Sequence, residues 1–220
     1  VVGLVAKAHN IPVVKDDDDD DDDDDTRGLY AHYVLVETHG SNAEHDQSKM
    51  EDFVEDVMAQ DYVVNGVLLQ DLSQLESFWK IRETTNAAVA ATGYTYKYDI
   101  SLAIPEFAEW DQEMTKLLEG MPVVQANWGH ILDGNLHFNV ATPGKFEKDD
   151  AVLQRLEPAL FEAVIRRGGS ISAEHGLGQS KNQYLDRIHD AAKLETMRSI
   201  KQLFDPPGIL NPHKYLPDKT

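Results

Sequence analysis

The stretch GHILDGNLH, residues 129–137, sets two histidines on either side of an Asp-Gly-Asn turn. A two-residue turn at Asp133-Gly134 would put His130 directly opposite His137 on neighbouring strands, with Cβ atoms about 5 Å apart. Alternation then adds Asn135 and Asn139 to that polar face and sends Leu136, Phe138 and Val140 to the other. Two such imidazoles can chelate a divalent cation but lack a third ligand. Taken alone, histidines flanking such a turn are more often satisfied surface or core residues. A second cluster, GGSISAEHGLG at 168–178, holds Glu174 and His175 among glycines that let backbone approach a ligand closely. Neighbouring side chains diverge, so the two would play different parts. Glu174 could complete a His-His-Glu metal set with an open position. His175 would then stand at the rim as a proton acceptor, since imidazole titrates near neutrality. An exposed Glu-His pair in a glycine-rich loop is the plainer alternative.

The third feature is cationic. Within DLSQLESFWKIRETTNAAVAA, residues 71–91, positions 75, 78, 82, 85 and 89 fall on one helical stripe. Arg82 therefore shares a face with Leu75, Phe78 and Val89, where it must snorkel to the edge or meet a carboxylate. Lys97 lies on the polar face of the strand that follows. Two cations facing a metal would suit a dianionic substrate, although ion pairing in an acidic protein accounts for either one alone.

Positioning these residues takes a mixed fold. LYAHYVLVET reads as a strand, SNAE as a helix start with Ser41 as N-cap and Glu44 as its capping-box partner, and YVVNGVLLQ as a returning strand. A long helix from about Asp71 to Ala91 leads into GYTYKYDISLAI. There Tyr94, Tyr96, Tyr98, Ile100, Leu102 and Ile104 share one face and Thr95, Lys97, Asp99 and Ser101 the other. A helix from Pro105 to about Leu118, strands at MPVVQANW and NLHFNVAT, and a helix from about Asp150 to Arg167 follow. This alternation predicts an α+β domain, a ferredoxin-like antiparallel sheet with helices on one face, plus a C-terminal helical tail stopped at DPPGILNP. The expected organisation is an N-terminal remnant over 1–28, a substrate- and metal-binding domain over 29–199, and a tail over 200–220.

Composition narrows the function classes. The formal charge of −19 owes ten units to the unbroken run Asp16–Asp25; without it, 29 acids against 20 bases leave −9. That balance argues against nucleic acid or an anionic membrane as partner. The run itself reads as a solvated, disordered loop, since a homopolymer lacks the turn and spaced ligands of a calcium site. With no cysteine, a metal must be held by nitrogen and oxygen. No apolar run approaches the roughly 20 residues of a membrane span. The chain starts Val1-Val2 without methionine or a targeting segment and reads as a fragment or processed product. Neither a dinucleotide-binding glycine motif, a phosphate-binding loop nor a nucleophile elbow occurs.

Taken in order, YKYDISL, GHILDGNLHFNV, SAEHGLG and DPPGILNPHKYLP resemble the C-terminal domain of FAD-linked oxidases, within the vanillyl-alcohol-oxidase type of flavoproteins. ETHGSNAEHD fits the same family, and the likeness runs from about residue 29 to the C-terminus. The YKYD stretch favours members that oxidise (R)-2-hydroxyglutarate to 2-oxoglutarate over those acting on D-lactate. The resemblance implies His130, His137 and Glu174 as ligands of a divalent metal, zinc in the family. It implies Arg82 and Lys97 as clamps on the substrate carboxylates, Asn135 as a contact that orients it, and His175 as the base. The family's substrate-contacting threonine is replaced by Asn86, with Thr85 beside it, and Asn211 in the tail is the implied FAD contact. A usual glycine is Leu132 here, which predicts a distorted loop. By the same resemblance FAD is bound mainly by an N-terminal domain absent from this chain, the electron acceptor is another flavoprotein, and the location is mitochondrial. A homodimer is left open. The competing readings are a related D-lactate-type dehydrogenase, a silent metal-binding fragment without flavin, and a metal-dependent hydrolase built on His-His-Glu.

Overall fold

The computed structural model describes residues 32–69 and 71–216. The expectations for 1–28, the aspartate run included, lie outside the described residues. The chain divides into two units at Ala88/Val89.

The first unit carries two helices, α1 (Ala43–Ala59) and most of α2 (Leu72–Ala90). The cap of α1 is Asn42 rather than Ser41: its backbone is extended and its Oδ1 accepts from His45 N at 3.1 Å. An Asn side chain at that position reaches the third helical N–H directly, which displaces the Ser-Glu box. Asp71 starts α2 in the same way, accepting from Gln74 N at 2.9 Å. Over their described residues, the two strands expected to flank α1 do not form. Among the described residues, 32–40 and 63–69 contain no strand, and Val34 and Val64 stay 70% and 81% exposed. Strand preference in a β-branched run is realised only against a paired strand and a covering layer, and the described residues pair no strand with these segments. On α2 the expected stripe does turn inward: Leu75, Phe78 and Arg82 are half-buried and Thr85 and Val89 buried.

The second unit runs β1 (Gly93–Ser101), a 3-10 turn (Ile104–Glu106), α3 (Phe107–Leu118), β2 (Val124–His130), β3 (Asn135–Pro143), α4 (Asp150–Arg166), a 3-10 turn (Asn182–Tyr184), α5 (Leu185–Ile188) and α6 (Ala191–Phe204). Its sheet is antiparallel in the order β1-β3-β2. Ser170, just past α4, adds an antiparallel bridge to Ser101 on the open side of β1. The result is an α+β, ferredoxin-like βαββα arrangement whose fourth strand is reduced to one bridge.

One sheet face makes the core. Tyr96, Tyr98, Ile100, Phe138 and Val140 meet Trp110 and Met114 of α3 and Leu156, Leu160, Phe161 and Val164 of α4. Trp110 and Tyr98 set their rings edge-on to Phe138 and Phe161, at centroid distances of 4.9 and 5.7 Å. Each such side chain contributes about 1.5–3 kcal/mol by leaving water. β1 stops three residues short of Ile104: Leu102 N turns to bond Gly134 O, Pro105 offers no donor, and Ile104 is exposed. The helices cover that one face, so the other is left to polar residues.

Candidate functional site

That polar face is ordered by register. Asp99 lies opposite His137, Lys97 opposite Asn139 and Ser101 opposite Asn135. On the far side of β3, Trp128 faces His137, and His130 faces Asn135 rather than His137. The expected direct pairing of the two histidines fails because the connection is a four-residue turn, Ile131 to Gly134, not a two-residue one. Asp133 Oδ1 accepts from Asn135 N at 3.0 Å, and Gly134 takes φ +70°. The shift is by two residues, and a shift of two keeps every side chain on its face. His130 and His137 thus remain on one face as diagonal neighbours. Leu132, in place of the expected glycine, keeps ordinary backbone and projects 97% exposed, so the turn absorbs it.

The glycine-rich loop reaches the same face by running back along β1. Ser170 exchanges both backbone hydrogen bonds with Ser101, at 2.9 and 3.0 Å, and Ala173 N donates to Asp99 O at 3.4 Å. Gly169 makes this approach feasible: a Cβ there would sit 2.3 Å from Ser101 O. The loop then turns, and the amides of Glu174 and His175 both donate to Asp99 Oδ2, at 2.7 and 3.0 Å. Asp99 Oδ1 accepts from Asn135 Nδ2 at 3.0 Å. Burial alone would raise the Asp99 carboxyl, but these N–H donors outweigh it and hold it below its usual range.

Six side chains gather into two sets around this centre. Ligand atoms of Asp99, His137 and His175 lie within 4.8 Å of one another, and so do those of His130, Asp133 and Glu174. His137 and His175 stack with ring centroids 5.9 Å apart, and Trp128 flanks His137 at 6.3 Å. His137 is half-buried, whereas His130, Glu174 and His175 are exposed. Glu174 and His175 do diverge, each joining a different set. The expected ligands are shared between the sets, His130 and Glu174 in one and His137 in the other.

The donor chemistry fits a divalent cation of nitrogen and oxygen preference: imidazoles and carboxylates, no thiolate. A second observation agrees. Asn135 Oδ1 is buried without a hydrogen-bond partner, an acceptor beside His130 that a cation or hydroxyl would satisfy.

Of the remaining expected residues, Lys97 is exposed on the polar face. Arg82 and Asn86 belong to the first unit. Asn86 is exposed, and Thr85 cannot replace it, because its hydroxyl donates within the helix to Ile81 O at 2.7 Å. Asn211 is exposed in the tail at φ +46°. That tail is tied to the glycine-rich loop through Tyr215 N to Gly178 O, 2.8 Å, and to the 3-10 turn after it through Asn182 Nδ2 to His213 O, 3.0 Å. Sequence reasoning missed Asp99 and Asp133 as members of the clusters. Alternation alone had set Asp99 on the polar face, and nothing in the sequence marked it apart from its neighbours there.

The fold and this face define an α+β domain that gathers imidazoles, carboxylates and amides on the sheet face opposite the aromatic core. The chain belongs to the family of FAD linked oxidases, C-terminal domain, which it matches over residues 8–215. It is 41% identical over 186 residues to the mitochondrial D-2-hydroxyglutarate dehydrogenase of Danio rerio, covering 84% of this chain and 34% of that protein. With the enzyme of the same name from Arabidopsis thaliana it shares 40% over 185 residues, 84% of this chain and 32% of that one. A mitochondrial Schizosaccharomyces pombe protein, provisionally named a D-lactate dehydrogenase, is 40% identical over 195 residues, 84% and 36% of the two chains. The chain thus spans about a third of the length of these curated relatives.

Proposed function

We propose that this chain is the substrate-side portion of a mitochondrial FAD-dependent dehydrogenase that oxidises D-2-hydroxy acids, with (R)-2-hydroxyglutarate, giving 2-oxoglutarate, as its substrate. The observation that carries the reading is the convergence of His137, His175 and Glu174 on buried Asp99, on the sheet face opposite the core packed by α3 and α4. Family membership and the names and location of the relatives support the reaction class and the compartment.

In this reading His130, His137 and Glu174 hold a divalent cation, zinc, and Asn211 contacts FAD. When bound, the cation would supply positive charge for polarising the substrate hydroxyl and FAD would supply an acceptor for the C2 hydride. His175 takes the hydroxyl proton: its ring is exposed while its backbone is fixed to Asp99, which suits a base at the rim. Asn135 orients the substrate through its unpartnered Oδ1. Arg82 and Lys97 supply the charge that two carboxylates require, with Asn86 as a further polar contact. Electrons leave for an acceptor flavoprotein.

The D-lactate alternative has one observation in its favour, the name of the fission-yeast relative. The test is oxidation of (R)-2-hydroxyglutarate and of D-lactate by the full-length protein with a dye acceptor, before and after Arg82→Met. Losing a charged carboxylate contact worth about 1.5–3 kcal/mol lowers kcat/KM for the dicarboxylate roughly 10–100-fold and leaves D-lactate turnover nearly unchanged. Equal loss on both substrates, or faster turnover of D-lactate by the unsubstituted protein, would overturn the dicarboxylate assignment.

A further inference from the structure

Asp99 does more than its place in a strand requires. It is 2% exposed, and its two oxygens together accept three N–H groups from two elements: Asn135 Nδ2 of β3 on Oδ1, and the Glu174 and His175 amides of the loop on Oδ2. A carboxylate offers about four acceptor sites. Beyond those bonds the carboxylate faces two imidazoles at ion-pair rather than hydrogen-bond separation, with Oδ1 3.8 Å from His137 Nδ1 and Oδ2 4.0 Å from His175 Nδ1. A carboxylate so occupied is poorly placed to ligate a metal itself, although its oxygens lie within 4.8 Å of both rings' ligand atoms. It is well placed to decide which nitrogen of each ring carries the proton.

We propose that Asp99 is the positioning residue of the site: it holds both rings as Nδ1–H tautomers, so that His137 and His175 each present Nε2 outward, while its grip on the loop amides fixes Glu174 and His175 beside them. The inference rests on the assignment of His137 as ligand and His175 as base. Its physical basis is general. A ring whose Nδ1 faces a carboxylate favours the proton on that nitrogen, which leaves Nε2 as the atom presented outward. An asparagine at 99 could still accept from the two loop amides, but it would bring an NH2 group and no charge to the imidazoles.

The experiment uses the 220-residue chain with zinc as the probe. Above about pH 8, where ordinary imidazoles are neutral, long-range 15N–1H spectra report the tautomer of each ring. In the unsubstituted chain His137 and His175 should both be Nδ1–H; finding either as Nε2–H overturns the proposal, whether or not any variant folds. Asp99→Asn, with far-UV CD unchanged, should erase that preference and weaken zinc binding about 10–100-fold in a chelator competition. Unchanged tautomers and affinity in the folded variant would reduce Asp99 to a staple for the loop. A chain that binds no zinc but keeps both Nδ1–H tautomers would sink the metal assignment while leaving the role of Asp99 standing.

Discussion

Replacing Gly169 by alanine tests whether the loop bearing Glu174 and His175 takes its position from β1. The added Cβ would lie 2.3 Å from Ser101 O, 2.7 Å from Leu102 Cδ2 and 3.0 Å from Val164 Cγ1. The first of these is backbone at the end of β1, an edge strand held by its pairing with β3, so the loop must move rather than the strand. Moving it breaks the two Ser101–Ser170 hydrogen bonds, each worth about 1 kcal/mol, and loosens the contact with Leu102. The expected cost is about 2–3 kcal/mol, a fall in Tm of about 10 °C for a unit of this size. Gly168→Ala is the control. It sits one residue earlier at φ +68° with nothing within 4 Å, so only its backbone conformation is penalised, by about 1–2 kcal/mol. Hydrogen exchange separates the two variants. In Gly169→Ala the amides of Ser101 and Ser170 should lose protection together with those of Glu174 and His175, whereas Gly168→Ala should retain it. Retained protection in Gly169→Ala, at a Tm matching the control, would mean that the loop does not depend on β1, and the account of how the site is assembled would be wrong.

Metal content gives a second test: zinc bound by the purified chain should survive removal of Asp16–Asp25 and vanish with His137→Ala, and retention in the latter would sink the ligand assignment. The acid limb of stability gives a third. Burial alone would raise Glu113, but the Arg166 and Arg167 guanidiniums, which donate to it at 2.7–2.8 Å, bring it below its usual range. The unfolded chain therefore binds a proton at Glu113 before the folded chain does. This stabilisation is complete above the ordinary glutamate pKa near 4.3 and is lost as pH falls through the lower folded value. Glu113→Gln should flatten the fall in urea midpoint below about pH 4.5, by a small amount because the pair is partly solvated; an unchanged slope would refute the assignment.

What was legible in the sequence was parity, and what was hidden was distance. Alternation put Lys97, Asp99, Asn135, His137 and Asn139 on one face, and they lie there, because strand period survives any even change of register. The His130–His137 pairing failed for a complementary reason: turn length sets register, and Asp-Gly inside ILDG closes a four-residue turn as readily as a two-residue one. The strands expected around α1 failed because residue preference was read as though it were intrinsic, when a partner strand must be present to realise it. Asp99 stayed hidden for a third reason. A carboxylate on a polar strand face is ordinarily solvated, and only the path of a loop 75 residues further along the chain, bringing two amides onto Oδ2, shuts it away from water. That loop is drawn in by the bridge at Ser170, all that remains of a fourth strand, and Gly169 is what permits the bridge. The site is therefore a consequence of an incomplete sheet. A full fourth strand would satisfy the edge of β1 with a ladder, and no free amide would be left to turn over the top and meet the carboxylate.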